Sequence, residues 1–469
     1  MNRTDTLNHI RHIYLVGIAG VGVSALVPAL LDRGFIVSGS DPARNELTAR
    51  LESLPIQIDH EHRPENISDA SLVVASSAIP AENPEILAAR SRGIPVWPRA
   101  RLLAYLLQDS RGIVVAGAHG KTTVTAMITQ LLLETGFDPT AFIGGDCAFL
   151  ESNARVGKGE WAVAEGDESD GSFLYLKPEI AVINNIDADH LDFYPDIHAI
   201  VERFTTFLAG VRENGWIIHS ADCEHTRTMC IPANRRVLTY GFSTGADVQA
   251  LNYISDEVES RCDVRIQGTM QGKLRHSLSG RANMHNALAA VSVGITLGLP
   301  FEQIADALRK FIGVKRRMQQ KGVMHGITVI DDYAHHPTEI LAAIEALRER
   351  YSRRLIGIFQ PHLYSRTIKL REEFGRAFTG LDLLVLTDIY PAREKPIPGV
   401  SGETVMASVR KNRIPVVYIP KPDEIPVFLE NITQEGDVVI TIGAGDVWKI
   451  GEQFLQITNE RKGGKSDVA

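Results

Sequence analysis

The chain has 469 residues and a formal net charge of −8, enough for two to four domains. That charge argues against nucleic acid as the main partner, since a phosphate-tracking surface needs clustered Lys and Arg, and no apolar run is long and unbroken enough to span a bilayer. The four cysteines, Cys147, Cys223, Cys230 and Cys262, form no CxxC pair and read as free thiols; with no signal-peptide pattern ahead of the first strand-like run, a cytoplasmic enzyme is the expectation.

Along the chain, "HIYLVGIAGVGVSALVPALLDRGFIVSGSD" reads as a strand, a glycine loop, a helix, a turn at Gly34 and a second strand ending at Asp41. This is a β-α-β unit. Gly17, Gly20 and Gly22 are spaced GxxGxG, not the dinucleotide GxGxxG; they suit a diphosphate loop or are structural glycines. Asp41, at the end of the second strand, is placed to take a ribose hydroxyl. "SLVVASSAIP" repeats the strand-then-loop pattern and puts Ser76 and Ser77 beside the same candidate substrate site. The helix "RARLLAYLLQ" then leads to a polar joint near residues 108 to 112.

The second block opens with "IVVAGAHGKTTVTAMITQLLLETG": an apolar strand, a loop, a helix and a glycine stop. Gly117, His119, Gly120, Lys121, Thr122 and Thr123 form a phosphate cradle whose first glycine comes later than in the common P-loop, where position 115 would be glycine. Backbone N–H groups at a helix N-terminus favour a polyphosphate. Lys121 neutralises phosphate charge and the Thr122 hydroxyl suits Mg²⁺. Two further strands end in acidic loops. "AEGDESD" crowds Glu165, Asp167, Glu168 and Asp170, which is costly unless a cation offsets the charge. "NNIDADHLD" sets His190 among Asp187, Asp189 and Asp192. A solvated turn or a satisfied polar residue is the plain alternative; beside a P-loop, a metal site is the better reading. "GRANMHNALAA" offers Asn283, His285 and Asn286 at a helix start, for N-capping or for a purine. The basic joint "KRRM" holds Lys315, Arg316 and Arg317.

The third block has strands in "ITVIDDYAHHP", "RRLIGIFQPH", "LLVLTDIYP", "IPVVYIP" and "DVVITIGAGD", with Asp332, His335, His336, His362 and Arg366 at strand ends. The last dozen residues read as a frayed tail. Strands alternating with helices predict parallel sheets covered by helices, with ligands at the carboxyl ends of the strands. The fold class expected is α/β in three domains: a Rossmann-like domain over 1–108, a central P-loop ATPase-like parallel sheet over 109–317, and a C-terminal Rossmann-like domain over 318–469.

Taken together, GxxGxG, GxHGKTT, AExDESD, NIxADHLD, RR, DDYxHHPTE, FQPHxYxRT and GAGD resemble the Mur ligases of bacterial cell-wall synthesis, over nearly the whole chain. The late-glycine loop is that family's form. The resemblance implies ATP-dependent amide ligation in peptidoglycan precursor synthesis, with Mg²⁺, two ions in all, replaceable by Mn²⁺. Carried over by position, Lys121, Glu165, His190 and Arg317 are the catalytic set. Gly117, His119, Gly120, Lys121, Thr122, Thr123, Asn283, Asn286 and Asp332 serve the nucleotide. Thr122, Glu165 and His190 hold metal. Gly20, Gly22, Asp41, Ser76 and Ser77 serve a UDP-sugar, while His335, His362 and Arg366 border the substrate and amino-acid side.

Four positions depart from the family pattern: Ala118 for Thr, Ala282 for His, Leu363 for Arg and Ala334 for Gly. The branches that add later amino acids carry a lysine after the HLD motif. "VERFTTF" stands there instead, which suits the alanine-adding branch, with UDP-N-acetylmuramate, L-alanine and ATP as substrates and a monomer or weak homo-oligomer as the working state. A recycling ligase acting on the same UDP-sugar is the nearest alternative; it tends to carry Glu-Tyr-Asp where this chain has "ESD". A nicotinamide-dependent oxidoreductase and a non-catalytic nucleotide-binding regulator leave most of the motifs without a role.

Overall fold

The computed structural model describes residues 9–76, 78–190, 193–392 and 394–463. They gather into two compact units. The first runs to Leu251 and adds Asp263–Lys273 and His285–Phe311; the second holds Asn252–Cys262, Leu274–Met284 and the chain from Ile312 onward.

The first unit opens with a five-stranded sheet in the order Gln57–Asp59, Ile36–Ser40, His12–Val16, Leu72–Ala75, Val96–Pro98, parallel throughout. The strand order reverses beside His12–Val16, so the crevice beyond its carboxyl end is a ligand position for this topology. The helix Arg99–Leu107 buries Leu102, Leu103, Leu106 and Leu107, in an apolar cluster that also takes in Phe173, Leu176 and Phe207 under the central sheet. One core therefore serves both sheets of this unit.

The central sheet has ten strands. Its heart is parallel: Arg111–Ala116 lies between Trp161–Glu165 and Ile180–Ile183, with Trp216–Ser220 and Arg236–Gly241 beyond. These strands are apolar on both faces because helices cover both. The helix Lys121–Glu134 packs into this core through Val124, Met127, Ile128, Leu131 and Leu132, and Gly136 with φ +81° ends it. The sheet is wider than the sequence pattern predicts. An antiparallel hairpin, Thr140–Cys147 with Ser152–Arg155, forms one edge, and Val248–Ser255, Ser260–Ile266 and Thr269–His276 continue the other.

In the second unit a six-stranded sheet runs Gln319–Met324, Ile327–Asp332, Val438–Ile442, Leu355–Phe359, Leu383–Leu386, Val416–Tyr418. Its first pair is antiparallel and the rest parallel. The C-terminal helix is longer than the sequence reading has it: Trp448–Gly463 is one helix, so helical backbone replaces the first part of the expected tail. Among the described residues no helix is long and apolar enough to cross a membrane.

His276 ends its strand with 1% of its surface exposed, and burial pushes its ring down to about 4. Between the ordinary value of 6.5 and about 4 the unfolded chain takes up a proton that the folded chain refuses. Stability therefore falls as pH drops through that window and levels off below it, by about 3 kcal/mol in all. In urea unfolding between pH 7 and pH 4, His276→Leu is expected to flatten this loss relative to the parent chain; equal slopes would show that His276 does not carry it.

Candidate active site

Three neighbouring parallel strands deliver three polar loops to one edge. Val115 pairs with Glu165 and Ala116 with Ile183, so the loops after residues 116, 165 and 183 start at the same level. The first is the phosphate cradle. Gly117 sits at φ +139°, and a Cβ there would lie 2.8 Å from the Asn185 carbonyl oxygen. Gly120 caps the helix Lys121–Glu134 in a left-handed conformation, with the Asn184 and Asn286 carboxamides where a Cβ would stand. Glycine at these positions is required by the close approach of the third loop.

That third loop clamps the cradle. Asn184 Nδ2 donates to the His119 carbonyl at 2.8 Å and to Asn286 Oδ1 at 2.9 Å, and its own Oδ1 accepts from Tyr240 at 2.7 Å. Asn185 Oδ1 accepts from the His119 N–H at 2.8 Å. The His119 ring meets Asp187 Oδ2 at 2.9 Å. Asn184, Asn185 and Tyr240 were not singled out by the sequence; the polar "NN" at the end of an apolar strand was the available signal.

The second loop supplies the charge. Lys121 Nζ donates to Glu168 Oε1 at 2.7 Å, to the Gly117 carbonyl at 2.6 Å and to the Ala118 carbonyl at 3.2 Å. Burial disfavours the ammonium, but Glu168, Asp167 and Glu165 outweigh it and hold Lys121 above its ordinary pKa. Asp167 is half-buried; desolvation pushes its carboxyl up, yet Lys121 and Arg99 keep it below the usual carboxylate range. His190 Nε2 lies 3.7 Å from Glu168 Oε1 and 3.6 Å from Asp189 Oδ2. Burial works against its protonation, and Glu168 and Asp189 reverse the balance and raise its pKa. Glu165 stands apart from the Lys121 pair: its Oε2 accepts from the Thr122 hydroxyl at 3.1 Å and its Oε1 from the Gly144 N–H.

This donor set fits a hard divalent cation and a polyphosphate. Carboxylate and hydroxyl oxygens gather at a helix N-terminus with a fixed ammonium. Glu168 Oε2 is buried with no hydrogen-bond partner among the described residues, the kind of oxygen a cation satisfies.

In the first sheet, Gly17 has φ +76° and Gly20 caps the short helix Val21–Ser24. Gly22 leaves room for Arg99, whose side chain would lie 3.2 Å from a Cβ there. The Asp41 carboxylate braces this loop: Oδ2 accepts from the Ala19 N–H and Oδ1 from the Ala43 N–H, both at 3.0 Å. Ser76 lines a cavity of about 270 Å³ with Trp97, Arg99, Asp170 and Ser172, and Arg99 pairs with Asp167 at 3.8 Å. Arg99 is a further residue that the sequence reading passed over. Ser77 lies outside the described residues.

Asn283 Nδ2 donates to the Ser279 carbonyl at 2.8 Å, one turn before it on the helix start. In the second unit, Asp332 accepts from the Met318 and Ala334 N–H groups at 2.7 and 2.8 Å. Its burial raises the pKa to about 6 against the opposing charge of Arg317. Arg317 also lies over the Tyr333 ring, 5.1 Å from its centroid. His335 and His362 meet edge to face at 5.9 Å. His362 stacks on Tyr390 and its Nδ1 lies 3.5 Å from Arg366 Nη1, so His335, His362 and Arg366 form one cluster. His336 caps the helix Pro337–Arg350.

Three family models match the chain in succession: "Mur ligase family, catalytic domain" over residues 12–111, "Mur ligase middle domain" over 115–294 and "Mur ligase, glutamate ligase domain" over 316–445. A UDP-N-acetylmuramate–L-alanine ligase of Pelotomaculum thermopropionicum is 44% identical over 454 residues, covering 96% of this chain and 98% of that protein. The enzyme of the same name from Desulfosudis oleivorans is 45% identical over 95% of this chain and 98% of its own length. Among solved structures, the UDP-N-acetylmuramate–alanine ligase of Thermotoga maritima superposes with a TM-score of 0.83 at 27% identity, covering 97% of this chain and all of that one. A murein peptide ligase from Psychrobacter arcticus shares the fold, with a TM-score of 0.72 at 23% identity over 98% of this chain and all of that one.

The Lys121–Glu168 pair is close and largely shielded, with 18% and 3% of the side chains exposed. Removing one partner strands the other charge, at about 3–5 kcal/mol. Glu168→Ala and Lys121→Ala are each expected to lower the urea midpoint markedly, and the double variant Lys121→Met, Glu168→Leu to recover most of it. Additive losses in this cycle would mean the two charges do not depend on each other.

Proposed function

This chain belongs to the Mur ligase family, and from that premise we propose that it joins L-alanine to the lactyl carboxylate of UDP-N-acetylmuramate at the expense of ATP, a cytoplasmic step in making peptidoglycan precursors. The observation that carries this reading is Lys121, held by Glu168 at a glycine-capped helix N-terminus beside the Thr122–Glu165 contact and His190. Near-full-length likeness to alanine-adding ligases supports the choice of amino acid. The chain divides the labour among residues 1–108 for the UDP-sugar, 109–317 for ATP and 318–469 for the amino-acid side, and works as a monomer or weak homo-oligomer.

A carboxylate is a poor acyl donor because oxide is a poor leaving group. Transfer of the γ-phosphoryl group of ATP to the lactyl carboxylate forms a P–O bond to that carboxylate and releases ADP. The alanine amine then attacks the acyl carbon, loses a proton, and phosphate departs with one former carboxylate oxygen. The work of the protein is positioning and charge neutralisation. Lys121 and Arg317 serve the phosphoryl oxygens. Gly117, His119, Gly120 and Thr123 shape the cradle, and Asn283, Asn286 and Asp332 serve the nucleotide. Gly20 and Gly22 give backbone access to the sugar diphosphate, with Asp41 and Ser76 around it; His335, His362 and Arg366 line the amino-acid side. Thr122 and Glu165 would hold one Mg²⁺ and His190 a second, with Mn²⁺ able to substitute. Bound there, the metal neutralises charge on the transferring group.

The test is ADP release with UDP-N-acetylmuramate and each of alanine, glycine and serine, using sugar carboxylate labelled with heavy oxygen. Release is expected to need both co-substrates and to favour alanine, with one label in the released phosphate. Label in AMP would replace this route with adenylation.

The metal assignment has its own test. His190→Ala is expected to keep UDP-sugar binding and lose turnover on the order of a hundredfold, while Glu165→Ala also raises the Mg²⁺ concentration for half-maximal rate. Near-normal turnover and metal requirement in His190→Ala would leave His190 a structural residue and the second ion without its ligand.

A further inference from the structure

The edge hairpin Thr140–Cys147 and Ser152–Arg155 carries none of the family motifs, yet it touches both candidate sites of the first unit. Its register pairs Phe142 with Ala154 and Cys147 with Ser152, which leaves a bulge between residues 142 and 147. The bulge lies against the Glu165 carboxylate. The Gly144 N–H donates to Glu165 Oε1, and a Cβ on Gly144 would stand 2.7 and 2.8 Å from the two carboxylate oxygens.

The other strand holds Asn153, which is 3% exposed although it lies on the outermost strand of its sheet. Its whole carboxamide is committed to the first sheet's helices. Nδ2 donates to the Val21 carbonyl at 2.8 Å and to Ser24 Oγ at 3.3 Å, and Oδ1 accepts from Arg50 Nη2 at 3.0 Å. Arg50 also reaches Asp146, on the bulge itself, at 3.1 Å, and the Glu151 carbonyl at 3.5 Å. Val21–Ser24 is the short helix capped by Gly20, directly after the Gly17–Gly22 loop. A buried amide with both donors and one acceptor position used fixes geometry strongly, because no water is at hand to replace a lost partner.

We propose that Asn153, with Arg50, is a positioning residue that sets the glycine loop in register with Glu165, so that a sugar nucleotide bound at the loop and metal–ATP bound at the Lys121 cradle favour one another. The chain of contacts is Val21 to Asn153, across the hairpin to the bulge, and Gly144 to Glu165, which in turn orients Thr122. The inference rests on the assignment of the glycine loop to the UDP-sugar and of Glu165 to metal. Coupling of this kind is reciprocal: whatever one ligand does to the affinity of the other must be returned in equal measure.

Calorimetry on the full chain tests it, with the non-hydrolysable analogue AMP-PNP and Mg²⁺, in the absence and presence of saturating UDP-N-acetylmuramate. The parent chain is expected to bind the analogue at least about fivefold more tightly when the sugar nucleotide is present. Asn153→Ala loses all three bonds. Asn153→Asp keeps the acceptor for Arg50 but turns a carboxylate toward the Val21 carbonyl. Both are expected to bring the ratio close to one and to raise the Mg²⁺ concentration needed for analogue binding. Arg50→Lys keeps a charge for Asp146 without the fork that also reaches Asn153, and is expected to fall between; it carries the test if Asn153→Ala does not fold. A ratio in Asn153→Ala equal to that of the parent chain, whatever happens to its melting temperature, would overturn the proposal, as would a parent ratio of one. Failure of the parent chain to bind UDP-N-acetylmuramate at all would instead strike the functional assignment.

Discussion

The site depends on the parallel pairing of Arg111–Ala116 with a strand on each side. Because Val115 is level with Glu165 and Ala116 with Ile183, the cradle, the acidic loop and the Asn184–His190 loop leave the sheet together. Everything polar follows from that register. Lys121 finds Glu168 and Thr122 finds Glu165, while Asn184 and Asn185 grip the backbone of His119. A slip of one residue in a parallel pair turns every side chain to the opposite face, and would carry these partners out of reach of one another. The apolar strands around the site keep the sheet in the interior, and the polar contacts between the loops, such as Asn184 and Asn185 on His119, hold the register that the charged site needs.

Crowded charge is held in place by a division of partners. Glu168 serves Lys121 and lies near His190; Glu165 serves Thr122 and Gly144. Asp167 faces Arg99, which also stands over Gly22 of the first loop. Four carboxylates within six residues are tolerable because each meets a different donor. The sequence shows the crowding but not the division, since adjacent loop residues point where tertiary contacts send them. Glu168 is the clearest instance: it sits in the acidic motif, and its role as the anchor of Lys121 emerges only when the two loops are placed side by side.

Much of the architecture was legible where local pattern and environment agree. "GIVVAGAHGKTT" joins an apolar strand, glycines and a helix start, and each of those features points to the same turn. "RARLLAYLLQ" and "RANMHNALAAVSVGITLG" are helices, as their apolar spacing predicts. The edge hairpin was not legible. "TAFIGGDC" mixes two glycines and an aspartate into its strand, and "SNAR" is too short to show alternation; these residues become a strand pair because the central sheet offers them an edge. Asp41 marks a different limit. Its place at a strand end invites a ligand, and the structure shows it bonded to the Ala19 and Ala43 N–H groups, so any hydroxyl it meets must share it with the loop it braces.

Two of the departures from the family pattern, Ala118 and Ala334, fall where the backbone, not the side chain, makes the contact. Ala118 offers its N–H to the Asn185 carbonyl at 3.2 Å and its carbonyl to Lys121, and either bond forms with any residue there. Ala334 is buried, and its N–H reaches Asp332. The late glycine is the opposite case. At Gly117 the Asn185 backbone occupies the space a Cβ would need, and φ is positive, so two independent constraints exclude other residues. The same contrast separates Lys121, Glu165, Glu168 and His190 from their neighbours, because in each of those four the side chain itself makes the contact. A cradle built from main-chain groups tolerates exchange at positions such as 118, whereas a charge partner that acts through its own side chain does not.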